Sequence, residues 1–249
     1  MSTMLLAPAL FASEGGIERM MRLYLRALDE NPSAHPLTLA TLNDTAADRS
    51  RLYAATHAPV ARYLPGNRSR VAFALRVLLA ARSCRTLICG HLHLWPLAGF
   101  AGRVHPRLRT FLITHGIEAW RPWSFAEQRA AVGATAIIAV STYTRQRVVD
   151  RLSALDQPPP VLVVPNCLDP EQAQPLEQPK QPGLIVTLAR LDSRDTYKGI
   201  DHLIEAVARA QHTAPHIRLC IMGDGPDAPR LKQLCARQGA RDVEFTGHL

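Results

Sequence analysis

Apolar and polar positions follow two rhythms along this chain. Short unbroken apolar runs read as buried parallel strands. Between them lie longer segments whose apolar residues recur every three or four positions, as in amphipathic helices. Residues 4–11, MLLAPALF, open as a strand, and Gly15 and Gly16 turn it into a helix over 17–30. There Ile17, Met20, Met21, Tyr24, Leu25 and Leu28 share one face. Residues 36–42 read as a second strand, 68–83 as a helix and 85–90 as the strand behind it. A strand at 109–114, a helix around 124–132, a strand at 134–141, a helix at 142–155 and a strand at 160–166 continue the alternation. This is an α/β pattern on a parallel sheet.

The rhythm breaks at DPEQAQPLEQPKQPG, residues 169–183, which is rich in Pro and Gln and has no apolar period. A second series follows: strand 183–190, helix 199–211, strand 217–223, helix 228–238, strand 243–249. A βαβαβ series is half of a doubly wound nucleotide-binding sheet. The expected organisation is an N-terminal Rossmann-like domain over 1–170, a linker over 171–182, and an incomplete second Rossmann-like domain over 183–249. On this reading the chain is truncated at its C-terminus.

Composition narrows the class. The chain of 249 residues is 47% hydrophobic and 20% charged, an ordinary globular balance. No apolar run reaches the ~18–20 residues of a membrane span. The first sixteen residues lack the basic start and long apolar run of a signal peptide, so they fit a buried strand in a cytoplasmic protein. The five cysteines (84, 89, 167, 220 and 235) form no CxxC pair and read as buried thiols of a reducing compartment, without structural zinc. The net charge of +8 is unevenly placed: residues 1–170 hold 19 arginines and no lysine against 11 acids, whereas 171–249 balance ten against ten. That excess suits nucleic acid, an anionic lipid surface or a phosphorylated ligand, or reflects an arginine-rich composition. Nucleic acid is disfavoured, because no helix-turn-helix, zinc spacing or RNP-like aromatic run is present.

The chemistry concentrates in LARLDSRDTYKGIDHL, residues 188–203. Arg190 leaves a strand and Lys198 stands just before Gly199, where the next helix starts. Ligands of open α/β sheets bind beyond the strands' carboxyl ends, and two cations beside unpaired helix N–H groups suit a diphosphate. The alternative is a pair of ordinary loop charges answered by Asp192, Asp195 or Asp201. Gly15 and Gly16, at a strand-to-helix turn, let the backbone approach a phosphate or sugar. His115 follows the strand 109–114. His91 and His93 in GHLHLW would share one strand face, yet no third metal ligand follows at a supporting spacing, so a buried or cleft-lining place is expected for them.

ARLDSRDTYKGIDHLIEA resembles the donor-site segment of retaining glycosyltransferases of family 4, which have the two-domain GT-B fold. In chain order, EGGIERMM, THGIE, AVSTYTRQRV, VVPNCLDP and IMGDGPDAPRLKQL are similar to further segments of that family. Each is weak alone; their ordered recurrence over nearly the whole chain is strong. The resemblance implies transfer of a hexosyl group from a UDP- or GDP-sugar to a cell-envelope glycan or glycolipid acceptor; the +8 excess on residues 1–170 adds the expectation that this cytoplasmic enzyme lies peripherally on an anionic membrane or binds a phosphorylated lipid acceptor. It implies a nucleotide sugar as donor substrate, no cofactor and no metal. Arg190 and Lys198 would hold the diphosphate, with Gly15 and Gly16 beside it, and His115 would touch the donor sugar. Two departures stand out. Cys167 occupies a position where the family has Gly, and would be strained there if φ were positive. The family's pair of glutamates, about two helical turns apart, has no counterpart before Leu249, which leaves half of the expected donor site outside the sequence. The rival readings are a nucleotide-sugar epimerase and a non-catalytic fragment that binds a nucleotide or a partner weakly.

Overall fold

The computed structural model describes residues 2–13, 15–56, 60–169 and 179–248. The chain divides into two compact units, Met1–Gln174 and Pro175–Leu249. Of the linker expected over 171–182, residues 171–178 lie outside the described residues.

The first unit runs β1 (Thr3–Ala7), α1 (Gly16–Asp29), β2 (Leu37–Thr41), α2 (Arg49–Ala55), β3 (Arg62–Pro65), α3 (Arg70–Ala81), β4 (Thr86–Cys89), α4 (Trp95–Val104), β5 (Arg109–Thr114), α5 (Ile117–Trp120), α6 (Phe125–Ala131), β6 (Ala136–Ala139), α7 (Thr142–Leu152) and β7 (Val161–Val163). Its seven strands lie in the order β3-β2-β1-β4-β5-β6-β7, all paired in parallel. β1 sits inside the sheet between β2 and β4, which is why all five of its residues are buried. Its side chains alternate between two cores. Met4 and Leu6 join Phe73, Val77 and Trp95 on one face, while Leu5 and Ala7 join Met21 and Leu25 of α1 on the other. At about 1.5–3 kcal/mol for each fully buried large aliphatic side chain, these two layers hold the sheet between its helices.

β1 stops at Ala7, short of the apolar run that continues to Phe11. Pro8 has no N–H to continue the ladder. The amides of Leu10, Phe11 and Ala12 donate instead to the carboxylate of Asp44, at 2.8, 3.1 and 2.8 Å. Four elements of the first unit were not apparent from periodicity: α2, β3, α4 and α5. The α4 sequence, WPLAGFAGRV, is apolar on nearly every side and lacks an amphipathic stripe.

The second unit comprises β8 (Leu184–Leu188), α8 (Ile200–Ala210), β9 (Arg218–Met222), α9 (Ala228–Gln238) and β10 (Val243–Gly247). Its three parallel strands lie in the order β10-β9-β8. Leu191, Ile200, Ile204, Leu219, Ile221 and Leu231 form its core. Gly225 fixes the loop beyond β9: its φ is +156°, and a Cβ there would lie 2.1 Å from the Leu191 carbonyl oxygen. Only a residue without a side chain lets that backbone reach the loop that carries Arg190.

Of the cysteines, 84, 89, 220 and 235 are buried free thiols, and burial pushes Cys89 up to about 12. Cys167 is free and exposed, and it is not among the residues with positive φ, so the strain considered for that position does not arise. Among the described residues no helix is long and apolar enough to cross a membrane.

Candidate functional site

In the first sheet β1 lies between β2 and β4, so successive connections leave on opposite sides and a crevice opens beyond the carboxyl ends of β1 and β4. A cavity of about 770 Å³ occupies this edge, its wall including Pro8, Glu18, Asn43, Arg68, Arg70 and His91. Gly90, just past β4, lets α1 come close: a Cβ there would stand 2.2 Å from the Met21 Sδ. His91 and His93 both line the cavity, but not from a strand. β4 ends at Cys89, and the chain turns into a 3-10 segment, Leu92–Leu94, capped by His91. The His91 Nδ1 accepts the His93 amide N–H at 3.1 Å, which makes Nδ1 the lone-pair nitrogen. His91 is buried, and burial pushes its pKa down to about 4; Glu118 and Glu18 oppose this, while His93 and His115 add to it. His91 is therefore a neutral polar wall at pH 7. Among the described residues no three His, Cys, Asp or Glu side chains are grouped to hold a metal ion.

His115 follows β5 at the same carboxyl edge. Its Nε2 donates to the Gly90 carbonyl at 2.9 Å, and its Nδ1 is buried with no hydrogen-bond partner among the described residues. The Glu118 carboxylate accepts the amides of His115 and Gly116, which fixes the turn that follows. Gly15 and Gly16 start α1. Gly15 is in ordinary extended backbone (φ −162°), where a Cβ would meet only the movable end of the Glu18 side chain, its Oε2, at 2.6 Å, and a Cβ on Gly16 would meet nothing within 4 Å. The fold therefore does not require a glycine at either place. The cavity wall begins one residue later, at Ile17 and Glu18, whose carboxylate accepts from the Ser13 hydroxyl at 2.7 Å.

In the second unit Arg190 and Lys198 line one small hollow of about 10 Å³, room for about one water, together with Asp192, Asp195, Asp201 and Asp227. Each of the four carboxylates has an arginine partner. Arg190 donates twice to Asp195 Oδ2, at 3.0 and 2.7 Å. Arg194 forks onto Asp192 and holds its carboxyl well below the usual carboxylate range. Arg230 reaches both Asp201 and Asp227. Lys198 makes no ion pair among the described residues, and its Nζ lies 5.1 Å over the Tyr197 ring. Gly199 behind it has φ +70°, ending the 3-10 segment Ser193–Lys198 and starting α8. The arrangement offers an anion one free ammonium and one guanidinium, two-thirds exposed, that can change partners.

The structure thus brings Arg190 and Lys198 together in the second unit, and it sets His115 against Gly90 at the edge of the first sheet. The sequence reading missed Asp44, Glu18 and Glu118. Asp44, in LNDT just past β2, was detectable only as an acid at a strand's carboxyl end.

Residues 14–172 match the model of Glycosyltransferase Family 4, and residues 182–249 that of Glycosyl transferases group 1. The alpha-maltose-1-phosphate synthase of Mycolicibacterium smegmatis is 30% identical over 166 residues. That match covers 57% of this chain and 42% of the relative, so less than half of the relative's length is represented. Among solved structures, Anabaena HepE in complex with UDP is similar over 100% of this chain and 70% of its own, with a TM-score of 0.70 and 17% identity. The same protein has been solved with UDP-glucose. The lipopolysaccharide outer core galactosyltransferase WaaB, in its apo form, is similar over 100% of this chain and 68% of its own, with a TM-score of 0.66 and 16% identity.

Proposed function

The chain belongs to glycosyltransferase family 4, and from that membership we propose that it transfers a hexosyl group, with retention, from a UDP- or GDP-sugar to a cell-envelope glycan or glycolipid acceptor. Its two Rossmann-like units are of the GT-B type. The observation that carries the donor half of the proposal is the shared hollow of Arg190 and Lys198 at the start of α8. UDP and UDP-glucose in the structures of HepE support a nucleotide sugar as donor.

The chemistry needs those cations. The bond between the anomeric carbon and the diphosphate oxygen breaks, a bond from that carbon to the acceptor oxygen forms, and the acceptor proton passes to the departing phosphate. Negative charge grows on the leaving oxygen, so fixed cations stabilise the transition state more than the ground state. On this proposal Arg190 exchanges Asp195 for phosphate, Lys198 is available as it stands, and no metal is required. The start of α1 at Gly15 and Gly16 leaves room for the phosphates. His115, whose Nε2 proton is engaged by Gly90, meets the donor sugar as a hydrogen-bonding wall and not as a general base.

Peripheral contact with an anionic membrane is part of the same proposal. α3 exposes Val71, Leu75 and Leu79, at 73, 58 and 61%, in a single stripe of four-residue steps. No acidic residue occurs between Asp48 and Glu118 to oppose anionic headgroups. Co-sedimentation with phosphatidylglycerol vesicles, reduced by Leu75→Asp, is the expected result; indifference to anionic lipid would remove this part.

One observation favours a second reading, weak nucleotide binding without transfer: the hollow has room for about one water and Arg190 is already paired. Titration with UDP and GDP beside a UDP-hexose and GDP-hexose turnover assay separates the two. Arg190→Ala and Lys198→Ala should each weaken nucleotide binding about tenfold or more, the worth of a charge-assisted contact. Unchanged binding in both variants defeats the donor assignment, and binding without turnover of any donor supports the second reading.

A further inference from the structure

Two arginines on the wall of the first unit's cavity have no carboxylate partner among the described residues. Arg68 and Arg70 stand on its wall, and the guanidinium of neither makes an ion pair or hydrogen bond among the described residues. The reason lies in the sequence: residues 49–117, which supply β3, α3, β4, α4 and β5, contain eleven arginines and no acidic residue. Among the described residues Glu18 is the one carboxylate on the wall, and it accepts from the Ser13 hydroxyl. The first turn of α3 has no acid either, so the positive end of that twelve-residue helix is uncompensated beside Arg70. Arg68 is held in left-handed backbone (φ 63°), and the preceding Asn67 (φ 51°) donates its amide to the Asp44 carbonyl at 3.1 Å. The guanidinium of Arg68 therefore starts from a tethered backbone.

The rest of the wall is of a different kind. Ile17, Phe73 and Leu94 are apolar, while Asn43, His91 and His93 offer hydrogen-bonding groups, His91 as a neutral ring. A compound that fits is small and polyhydroxylated, with a compact anion at one end. Two guanidinium forks and a helix N-terminus match the three terminal oxygens of a phosphate monoester better than one carboxylate.

We propose that this cavity binds a phosphate monoester through Arg68 and Arg70, and that the bound molecule is the acceptor of the transfer. The word acceptor rests on the glycosyltransferase reading above; the anion site rests on the cavity and its two arginines alone. The monoester belongs to a soluble sugar phosphate or to the headgroup of a lipid, and these two sources share the same recognition chemistry.

Isothermal titration of the full chain at fixed ionic strength tests it, with glucose 1-phosphate, glycerol 3-phosphate, glucose and glycerol as probes. The phosphorylated probe of at least one pair should bind tenfold or more tighter than its neutral partner. Preference for glucose 1-phosphate assigns the sugar source, and preference for glycerol 3-phosphate the headgroup. Arg68→Asn, which tolerates left-handed backbone, and Arg70→Gln should each cost about tenfold, and the double variant should abolish the preference. Arg82→Gln, at the far end of α3 and outside the cavity, should leave it intact. Equal binding of charged and neutral probes, or a preference that survives in the double variant, overturns the proposal. UDP titration of the same proteins reads the donor assignment separately. A chain that selects the phosphorylated probe but binds neither UDP nor GDP keeps the anion site and loses the donor assignment. Retained thermal unfolding of the double variant confirms that a lost preference is not a lost fold.

Discussion

Removing the Asp44 carboxylate should loosen the edge of the first sheet before anything else changes. The side chain is fully buried and accepts three consecutive amides, from Leu10, Phe11 and Ala12. A hydrogen bond to a charged acceptor is worth about 1.5–3 kcal/mol, and a buried donor left without a partner costs a comparable amount. The Leu10 and Phe11 amides belong to buried residues, whereas Ala12 is exposed and can turn to water. Counting the first two, Asp44→Ala should cost about 3–5 kcal/mol. For a unit of this size that is roughly a 10 °C fall in Tm. Asp44→Asn keeps the shape and one oxygen, so it should cost about half as much, by placing an amide donor against the N–H it replaces an acceptor for.

Thermal melts followed by circular dichroism measure the total, and hydrogen exchange localises it. Exchange at residues 10–12 should speed up in Asp44→Ala, while the amides of β4 and β5 keep their protection relative to the lowered stability. A loss below about 1 kcal/mol, or unchanged exchange at residues 10–12, would refute the claim that this carboxylate ends β1 and shapes the loop after it. The backbone bond from Asn67 to the Asp44 carbonyl survives either substitution, so Arg68 should hold its place while the loop after β1 does not.

Two further outcomes follow from the charges. His91 takes up a proton only near pH 4 when folded, but near 6.5 when unfolded, so the unfolded chain binds more protons in between. Stability should therefore fall as pH drops from 6.5 to 4, by ~3 kcal/mol at most, and urea melts of His91→Asn should show a flatter dependence; identical slopes would refute it. Asp195→Ala frees the Arg190 guanidinium from its partner. Because an exposed pair of this kind is worth about 0–1 kcal/mol, UDP should bind up to ~5-fold more tightly, and weaker binding would count against the exchange of Asp195 for phosphate.

What the sequence disclosed depended on how local the cause was. The order of strands and helices was legible wherever an apolar period repeated within one segment, as in α1, α8 and α9. β3 escaped because it is four residues long, ends in a proline and exposes Arg62. α4 escaped because its exposed face carries Phe100 and Val104, so no polar face sets a period. His91 and His93 were placed on a strand face because alternation suggests one, but the histidine's own ring nitrogen caps a turn there. Asp44 acts on amides 32 to 34 residues upstream, a relation that no window of sequence contains.

Charge behaved differently, because its balance is a sum that can be read before any fold is known. Residues 171–249 hold ten cations and ten acids, and around the hollow every carboxylate has found an arginine, which leaves Lys198 as the cation of its wall without an ion pair among the described residues. Arg190 shows that two readings of one residue need not exclude each other: it lines the hollow and is also an ordinary ion pair. In the first unit the stretch from residue 49 to 117 has no acid of its own, and among its described arginines only Arg51 pairs with a carboxylate, that of Asp48. Burying or pairing an arginine there would require a carboxylate from elsewhere in the fold. Arg76 instead donates to the Pro65 carbonyl, and Arg103 to the Arg129 carbonyl. Arg68 and Arg70 have not even that. Cations left open on a cavity wall raise the local concentration of anions without any cost of breaking a pair, whereas Arg190 must give up Asp195 first. Phosphate should therefore reach the first unit's cavity at lower concentration than it reaches the second unit's hollow, an ordering that titration of inorganic phosphate into the Arg68→Asn/Arg70→Gln and the Arg190→Ala variants measures.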